Sequence, residues 1–190
     1  TDKAIDIIAG AVGRAAYLEP LTPTEMKVNS NVAVIGGGVS GICASLELAN
    51  QGYKVFMVER QPSIGGHMAQ LSKTYPTLDC SLCILSPKLA ETKGHPLIEL
   101  MTNAEVATIN GSAGAYSLSL TRRPRYVNEN KCTGCGECAK VCPVEVADDF
   151  EEGTARRKAI YLPFPQAVPN AYVIDENNCT KCWLCIKACK

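Results

Sequence analysis

Residues 32–60 read "VAVIGGGVSGICASLELANQGYKVFMVER", and this stretch decides the fold. Four apolar residues, Val32–Ile35, run into three glycines. Helical periodicity follows from about Val39 to Asn50, and a short turn leads to a second apolar run, Val55–Val58. Strand, glycine turn, helix, turn and strand make a βαβ unit of about thirty residues. Such a unit requires two parallel strands, so the expectation is an α/β fold with a Rossmann-like parallel sheet.

The glycines carry chemistry as well as shape. Gly36-x-Gly38-x-x-Gly41 is weak as a bare motif, but here a strand precedes it, a helix follows, and Glu59 ends the next strand eighteen residues beyond Gly41. Gly36 permits the tight turn, Gly38 lets backbone approach a pyrophosphate, and Gly41 lets helix and strand pack closely. The helix start, with Val39 and Ser40, offers unpaired N–H groups to phosphates. Glu59 is placed to accept hydrogen bonds from ribose hydroxyls. Beyond it, the spacing Glu59-Arg60-x4-Gly65-Gly66 resembles that of FAD-binding flavoproteins with two dinucleotide domains. That resemblance puts the glycine pair near the flavin, and Val106 where a backbone group touches adenine. FAD is therefore expected over NAD, and no second glycine motif offers a nicotinamide site. His67 follows Gly66 and is placed for contact with the flavin, although it and His95 lack ligand-like spacing.

Eleven cysteines in 190 residues demand a role. Eight fall into two runs of one spacing, Cys132-x2-Cys135-x2-Cys138-x3-Cys142 and Cys179-x2-Cys182-x2-Cys185-x3-Cys189. Such runs ligate [4Fe–4S] clusters, and in two-cluster ferredoxins the fourth cysteine of each run serves the other cluster. Cys132, Cys135, Cys138 and Cys189 are thus expected on one cluster, and Cys179, Cys182, Cys185 and Cys142 on the second. Pro143 ends the turn that delivers the exchanged ligand. Structural zinc takes separated pairs instead. Cys80 and Cys83 keep three readings: ligands of a third cluster near the flavin, a redox dithiol, or buried apolar thiols in a strand-like setting of Leu82, Ile84 and Leu85. Ligation is the expectation carried forward. Cys43 reads as core.

The remaining chain gives three segments: helix and linker over 1–30, an incomplete FAD domain over 31–125, and an inserted α+β ferredoxin-like domain over 126–190. Residues 2–18 place Ile5, Ile8, Val12 and Ala16 at helical spacing, with Thr1 or Asp2 as cap, before the linker "EPLTPTEMKVNS". Residues 97–123 suggest short strands between glycine turns. The basic runs "TRRPR" and "ARRK" read as solvated faces, with docking of a partner as the minority reading. The interval between the cysteine runs is too long for a simple ferredoxin loop. Nineteen basic and nineteen acidic side chains cancel, so nothing points to nucleic acid or an anionic membrane. No run of eighteen apolar residues exists to span a bilayer, and the start lacks a basic-then-apolar leader pattern. Reduced thiolates fit a cytoplasmic setting. A first residue other than Met suggests a segment of something longer.

Together, "VAVIGGGVSGICASLELANQGYKVFMVERQPSIGGHMAQLSKTYPTLDCSLCIL" and "RKAIYLPFPQAVPNAYVID" resemble the A subunit of heterodisulfide reductase. GGHM, DCSLC and PFPQAVPN in combination are more specific than any one motif. The resemblance implies an oxidoreductase component of a multisubunit, dimeric complex, in which FAD bifurcates electrons. A hydrogenase or formate dehydrogenase would deliver electron pairs through a small iron–sulfur subunit. The acceptors would be the heterodisulfide of coenzymes M and B, reduced on other subunits, and ferredoxin. A-like subunits of quinone-interacting complexes and aromatic-ring reductases are the alternative, as is a relay module in which the flavin site is degenerate.

Overall fold

The structure, a computed structural model, describes residues 1–23 and 25–189. Thr24, in the linker stretch, and Lys190, the last residue of the ferredoxin segment, lie outside the described residues. Helix α1, Asp2–Ala15, forms where the periodicity predicts it. Its N-cap is Thr1, without a side-chain cap bond, and none of its residues is buried.

The sheet follows the βαβ expectation. Strand β1 is Val32–Ile35, helix α2 Val39–Asn50 and strand β2 Val55–Val58. After the short helix α3, Gly66–Gln70, and helix α4, Ser81–Gly94, strand β3 is Ile98–Met101. The three strands pair in parallel in the order β1-β2-β3. Helix α2 buries Ile42, Ser45, Leu46 and Ala49 at helical spacing. Cys43, expected in the core, is exposed instead. One residue past Ile42 on a helix is about 100° of rotation, which turns it away from the buried stripe.

Helix α4 also corrects the strand-like reading around Leu82, Ile84 and Leu85. Its buried residues, Ser81, Leu85, Leu89 and Thr92, recur at helical spacing, and Pro87 is accommodated inside it. Strands β4, Ala104–Ser112, and β5, Ala115–Arg122, form an antiparallel hairpin. A register shift between Val106 and Thr108 leaves Ala107 without a partner, the mark of a bulge.

The last third of the chain is built from small pieces: α5 (Glu137–Lys140), β6 (Glu145–Ala147), β7 (Arg156–Lys158), β8 (Ile160–Tyr161), β9 (Val173–Ile174) and α6 (Leu184–Ala188). β6 pairs with β7, β8 with β9, and α5 packs on α6. The long interval between the cysteine runs has a physical use. Phe164, Ala167 and Val168 enter the same apolar cluster as Ile42, Ile64 and Leu85. The Ile64 N–H donates to Val168 O at 3.0 Å, and the Val168 N–H donates to Ser63 Oγ at 2.8 Å. The extra length therefore locks the cysteine-bearing region onto the nucleotide fold through one shared core.

The basic runs are not simply solvated faces. Arg125 of "TRRPR" is only 6% exposed. Arg157 of "ARRK" lies over the Tyr161 ring at 3.8 Å and pairs with Asp175 at 3.1 Å. An arginine can be buried when every N–H finds an acceptor, and a basic run does not disclose such acceptors.

Candidate cofactor and cluster sites

The two glycine segments meet. The Gly65 N–H donates to Gly37 O at 2.7 Å, and Gly38 forms a parallel bridge with Gly65. The chain reverses into α2 at Gly36, whose φ of +103° favours glycine. A Cβ on Gly41 would lie 2.0 Å from the Gly36 carbonyl oxygen, so close packing of helix on turn excludes any side chain there. Backbone cannot swing aside as a flexible side chain can. Gly41→Ala should cost about 1–3 kcal/mol, read as a lowered unfolding midpoint. Gly94→Ala, where a Cβ meets nothing within 4 Å, should leave that midpoint nearly unchanged.

Above the turn there is room: a Cβ on Gly38 would meet nothing within 4 Å. The Ile42 N–H makes the first helical bond of α2, to Gly38 O at 2.9 Å. The preceding N–H groups, on Val39, Ser40 and Gly41, point from the positive end of the helix. Glu59 is 8% exposed, and its carboxylate is fixed by two backbone donors, Gly37 N–H at 2.6 Å and Gln61 N–H at 2.7 Å. Those clamps were not legible in the motif, which locates the acid but not what orients it. Each oxygen keeps a further lone pair, so the acid still has acceptor capacity.

The other expected cofactor residues lie at varying reach. Arg60 is exposed, and its carbonyl accepts from Arg123 Nη2 at 2.8 Å. His67 is exposed, with Nδ1 at 2.8 Å from Gln70 Oε1. A cleft lined in part by Glu59, Arg60, Gly66, His67 and Phe164 links this region to the cysteine-bearing part of the chain. Val106 is half-buried in β4, immediately before the bulge. The Ala104 N–H that opens this strand donates to Glu59 O at 2.9 Å, so Val106 lies two residues from the acid's backbone partner.

Of the eight cysteines in the two runs, Cys142, Cys179, Cys182 and Cys185 line one small apolar cavity with Val144, Ile160 and Ile174. Three of these thiols come from the second run and one from the first, the set that exchange of the fourth ligand requires. Cys132, Cys135 and Cys138 form the other group. Burial pushes the Cys138 thiol up to about 11 against a hydrogen bond at the Ala139 backbone, and the Cys132 and Cys135 charges add to the rise. Burial likewise raises Cys185, with Cys179 and Cys182 adding to it. Cys189 is exposed at the end of α6, the helix that packs on α5. Among the described residues no three Cys, His, Asp or Glu side chains converge on a single ion. A cubane asks for something else, since its thiolates bind separate irons spread over a cube.

Cys80 and Cys83, expected as ligands of a third cluster, lie together at the start of α4. They are joined to each other by a disulfide at the start of α4, and a sulfur so bonded has no thiolate to give iron. Both residues are exposed, which also removes the buried-core reading.

No helix among the described residues is long and apolar enough to cross a membrane.

Comparison with known proteins agrees with this geometry. Residues 31–81 match the family described as FAD dependent oxidoreductase, and residues 125–147 match the 4Fe-4S binding domain. The chain is 52% identical, over 189 residues, to the iron-sulfur A subunit of the CoB--CoM heterodisulfide reductase of Methanocaldococcus jannaschii, covering 100% of this chain and 29% of that one. It is 50% identical over 175 residues to the A subunit of the H(2):CoB-CoM heterodisulfide,ferredoxin reductase of Methanothermobacter marburgensis, covering 92% of this chain and 27% of that one. The figures are the same for the A subunit of the H(2)/formate:CoB-CoM heterodisulfide,ferredoxin reductase of Methanococcus maripaludis. The chain thus spans less than a third of the length of these relatives, and over that span it belongs to the A-subunit family of heterodisulfide reductases.

Proposed function

We propose that this chain is the FAD-binding and iron–sulfur electron-transfer segment of the A subunit of a heterodisulfide reductase, an oxidoreductase. The observation that carries the proposal is the junction of Gly36–Gly38 with Gly65, closed over a buried and oriented Glu59. The α2 N–H groups at Val39, Ser40 and Gly41 would hold the pyrophosphate. Glu59 would accept the ribose hydroxyls, Val106 would meet the adenine, and Arg60, Gly65, Gly66 and His67 would border the flavin.

Two [4Fe–4S] clusters would sit on Cys132, Cys135, Cys138 and Cys189, and on Cys179, Cys182, Cys185 and Cys142. Residues 31–125 then form the FAD unit, and residues 126–190 an inserted two-cluster ferredoxin-like unit. FAD, when bound, supplies the exchange between two-electron and one-electron chemistry, and the clusters supply one-electron steps. The protein's own contribution is to hold both units in one core through Phe164 and Val168, so that their separation is fixed.

The names of the relatives support a multisubunit complex that acts on the CoB-CoM heterodisulfide, and with the resemblance of the motifs the proposal extends to a cytoplasmic, dimeric complex with electron bifurcation. Its donor would be hydrogenase or formate dehydrogenase, through a small iron–sulfur subunit. Its acceptors would be the CoM-S-S-CoB heterodisulfide and ferredoxin.

The test is flavin content. Full-length protein purified without oxygen should release about one FAD per chain of this type on denaturation. Glu59→Ala should weaken retention by about 1–3 kcal/mol, because ribose hydroxyls lose their acceptor. Absence of flavin from the unaltered protein favours the relay reading, and unchanged flavin in the variant removes Glu59 from the site.

A further inference from the structure

The two cysteine runs share a backbone turn but not a surrounding. Each passes twice through the left-handed region between its first three cysteines. The first run does so at Gly134 (φ +72°) and Gly136 (φ +82°), the second at Lys181 (φ +56°) and Trp183 (φ +62°). The turn itself therefore accepts side chains, since the second run carries two. The glycines of the first run answer instead to their neighbours. A Cβ on Gly134 would lie 2.9 Å from Asn170 Oδ1, and one on Gly136 would lie 3.1 Å from the Tyr172 hydroxyl oxygen. Both distances fall inside the roughly 3.5 Å at which carbon packs best.

Asn170 and Tyr172 belong to the interval between the runs, and the segment's own core holds the tyrosine in place. Its neighbours Ala171 and Val173 are 0% and 4% exposed. Ala171 O accepts from Arg125 Nη1 at 2.9 Å, and Val173 pairs with Tyr161 in the β8–β9 ladder. The backbone is thus fixed on both sides of Tyr172 while its hydroxyl reaches the first run. Burial raises the Tyr172 pKa, and the Cys138, Cys135 and Cys132 charges add to the rise, so the hydroxyl keeps its proton and stays a donor. In the second run Trp183 takes the place of Gly136, and it lines the apolar cavity with Cys142, Cys179, Cys182 and Cys185. One set of thiols has a hydroxyl beside its turn, and the other has an aromatic ring in an apolar wall.

We propose that Tyr172 directs its O–H toward the cluster of the first run and holds the midpoint potential of that cluster above that of the second. The inference rests on the two-cluster reading given under the proposed function. Hydrogen bonds to the sulfurs are among the levers that set such potentials, and groups outside the ligand set tune a metal site through its ligands. Adding an electron makes the thiolates and sulfides more negative, so a donor stabilises the reduced state more than the oxidised one. Phenylalanine at this position keeps the ring and its packing and removes only the O–H.

The experiment uses full-length protein prepared without oxygen, titrated at controlled potentials and followed by EPR. The signal that Cys135→Ser removes marks the first cluster, and the signal that Cys182→Ser removes marks the second. In unaltered protein the first should be reduced at the higher potential. Tyr172→Phe should keep the iron of both clusters and lower the first midpoint alone. Loss of one hydrogen bond to a charged acceptor should cost about tenfold in the reduction equilibrium, which is about 59 mV for one electron. An unmoved first midpoint, an equal shift of both midpoints, or a second cluster that is reduced first would overturn the proposal. Loss of iron from Tyr172→Phe would overturn it as well, because the tyrosine would then be structural support. The two signals are assigned in protein with Tyr172 intact, so a failure of the two-cluster reading, which would also end the proposal, is seen separately.

Discussion

Arg125→Ala is expected to destabilise the chain by about 3–5 kcal/mol, the cost of breaking a buried charge network from one side. The guanidinium reaches four partners, three of them distant in sequence. Nη1 donates to Ala171 O at 2.9 Å, Nη2 to Thr102 Oγ1 at 3.1 Å and to Pro62 O, and Nε to Glu129 Oε1 at 3.0 Å. Burial lowers its pKa, while the charge of Glu129 and the hydrogen bond to it act against that. Alanine would leave two backbone carbonyls without a donor and remove the Glu129 charge's nearest partner. It would also cut the tie between the loop after β2 and the region around Ala171. A large fall in the denaturation midpoint should result. Arg122→Ala supplies the control, since its pair with Glu129 spans 3.5 Å with the arginine side chain 58% exposed. Exposed pairs contribute about 1 kcal/mol or less. Equal effects from the two variants would remove Arg125 from its proposed place as the junction.

Local periodicity and motif spacing made the nucleotide fold legible. Val32–Ile35 and Val55–Val58 are short apolar runs bounded by turn residues, and the helix between them begins and ends where its pattern does. What escaped was set by partners distant in sequence. The acceptors that bury Arg125 come from residues 62, 102 and 171, and nothing in "TRRPR" announces them. Helix α4 escapes because the apolar Leu82, Ile84 and Leu85 around the cysteine pair read as a strand. Its buried residues at 81, 85, 89 and 92 were the signal that could have found it. Cys43 was misplaced by a single position on a helix whose neighbour Ile42 is fully buried.

The cysteine runs raise the question with the largest spectroscopic consequence, namely which cluster Cys142 serves. The side chain lies in the cavity with Cys179, Cys182 and Cys185, although it closes the first run in sequence. The short turn before it makes this delivery possible: the Cys142 N–H donates to Ala139 O at 3.2 Å, and Pro143 prevents α5 from continuing. Cys142→Ser should therefore remove the cluster of the second run and leave that of the first. In full-length protein the loss should be one cluster's iron. Cys182→Ser supplies the reference, because it removes a ligand of the second run directly, and Cys135→Ser does the same for the first. The reduced-state EPR difference spectrum of Cys142→Ser should superimpose on that of Cys182→Ser. A match to Cys135→Ser instead would mean that each run closes on its own cluster. Serine retains an oxygen that can bind iron weakly, so Cys142→Ala should give the same difference spectrum with more complete loss.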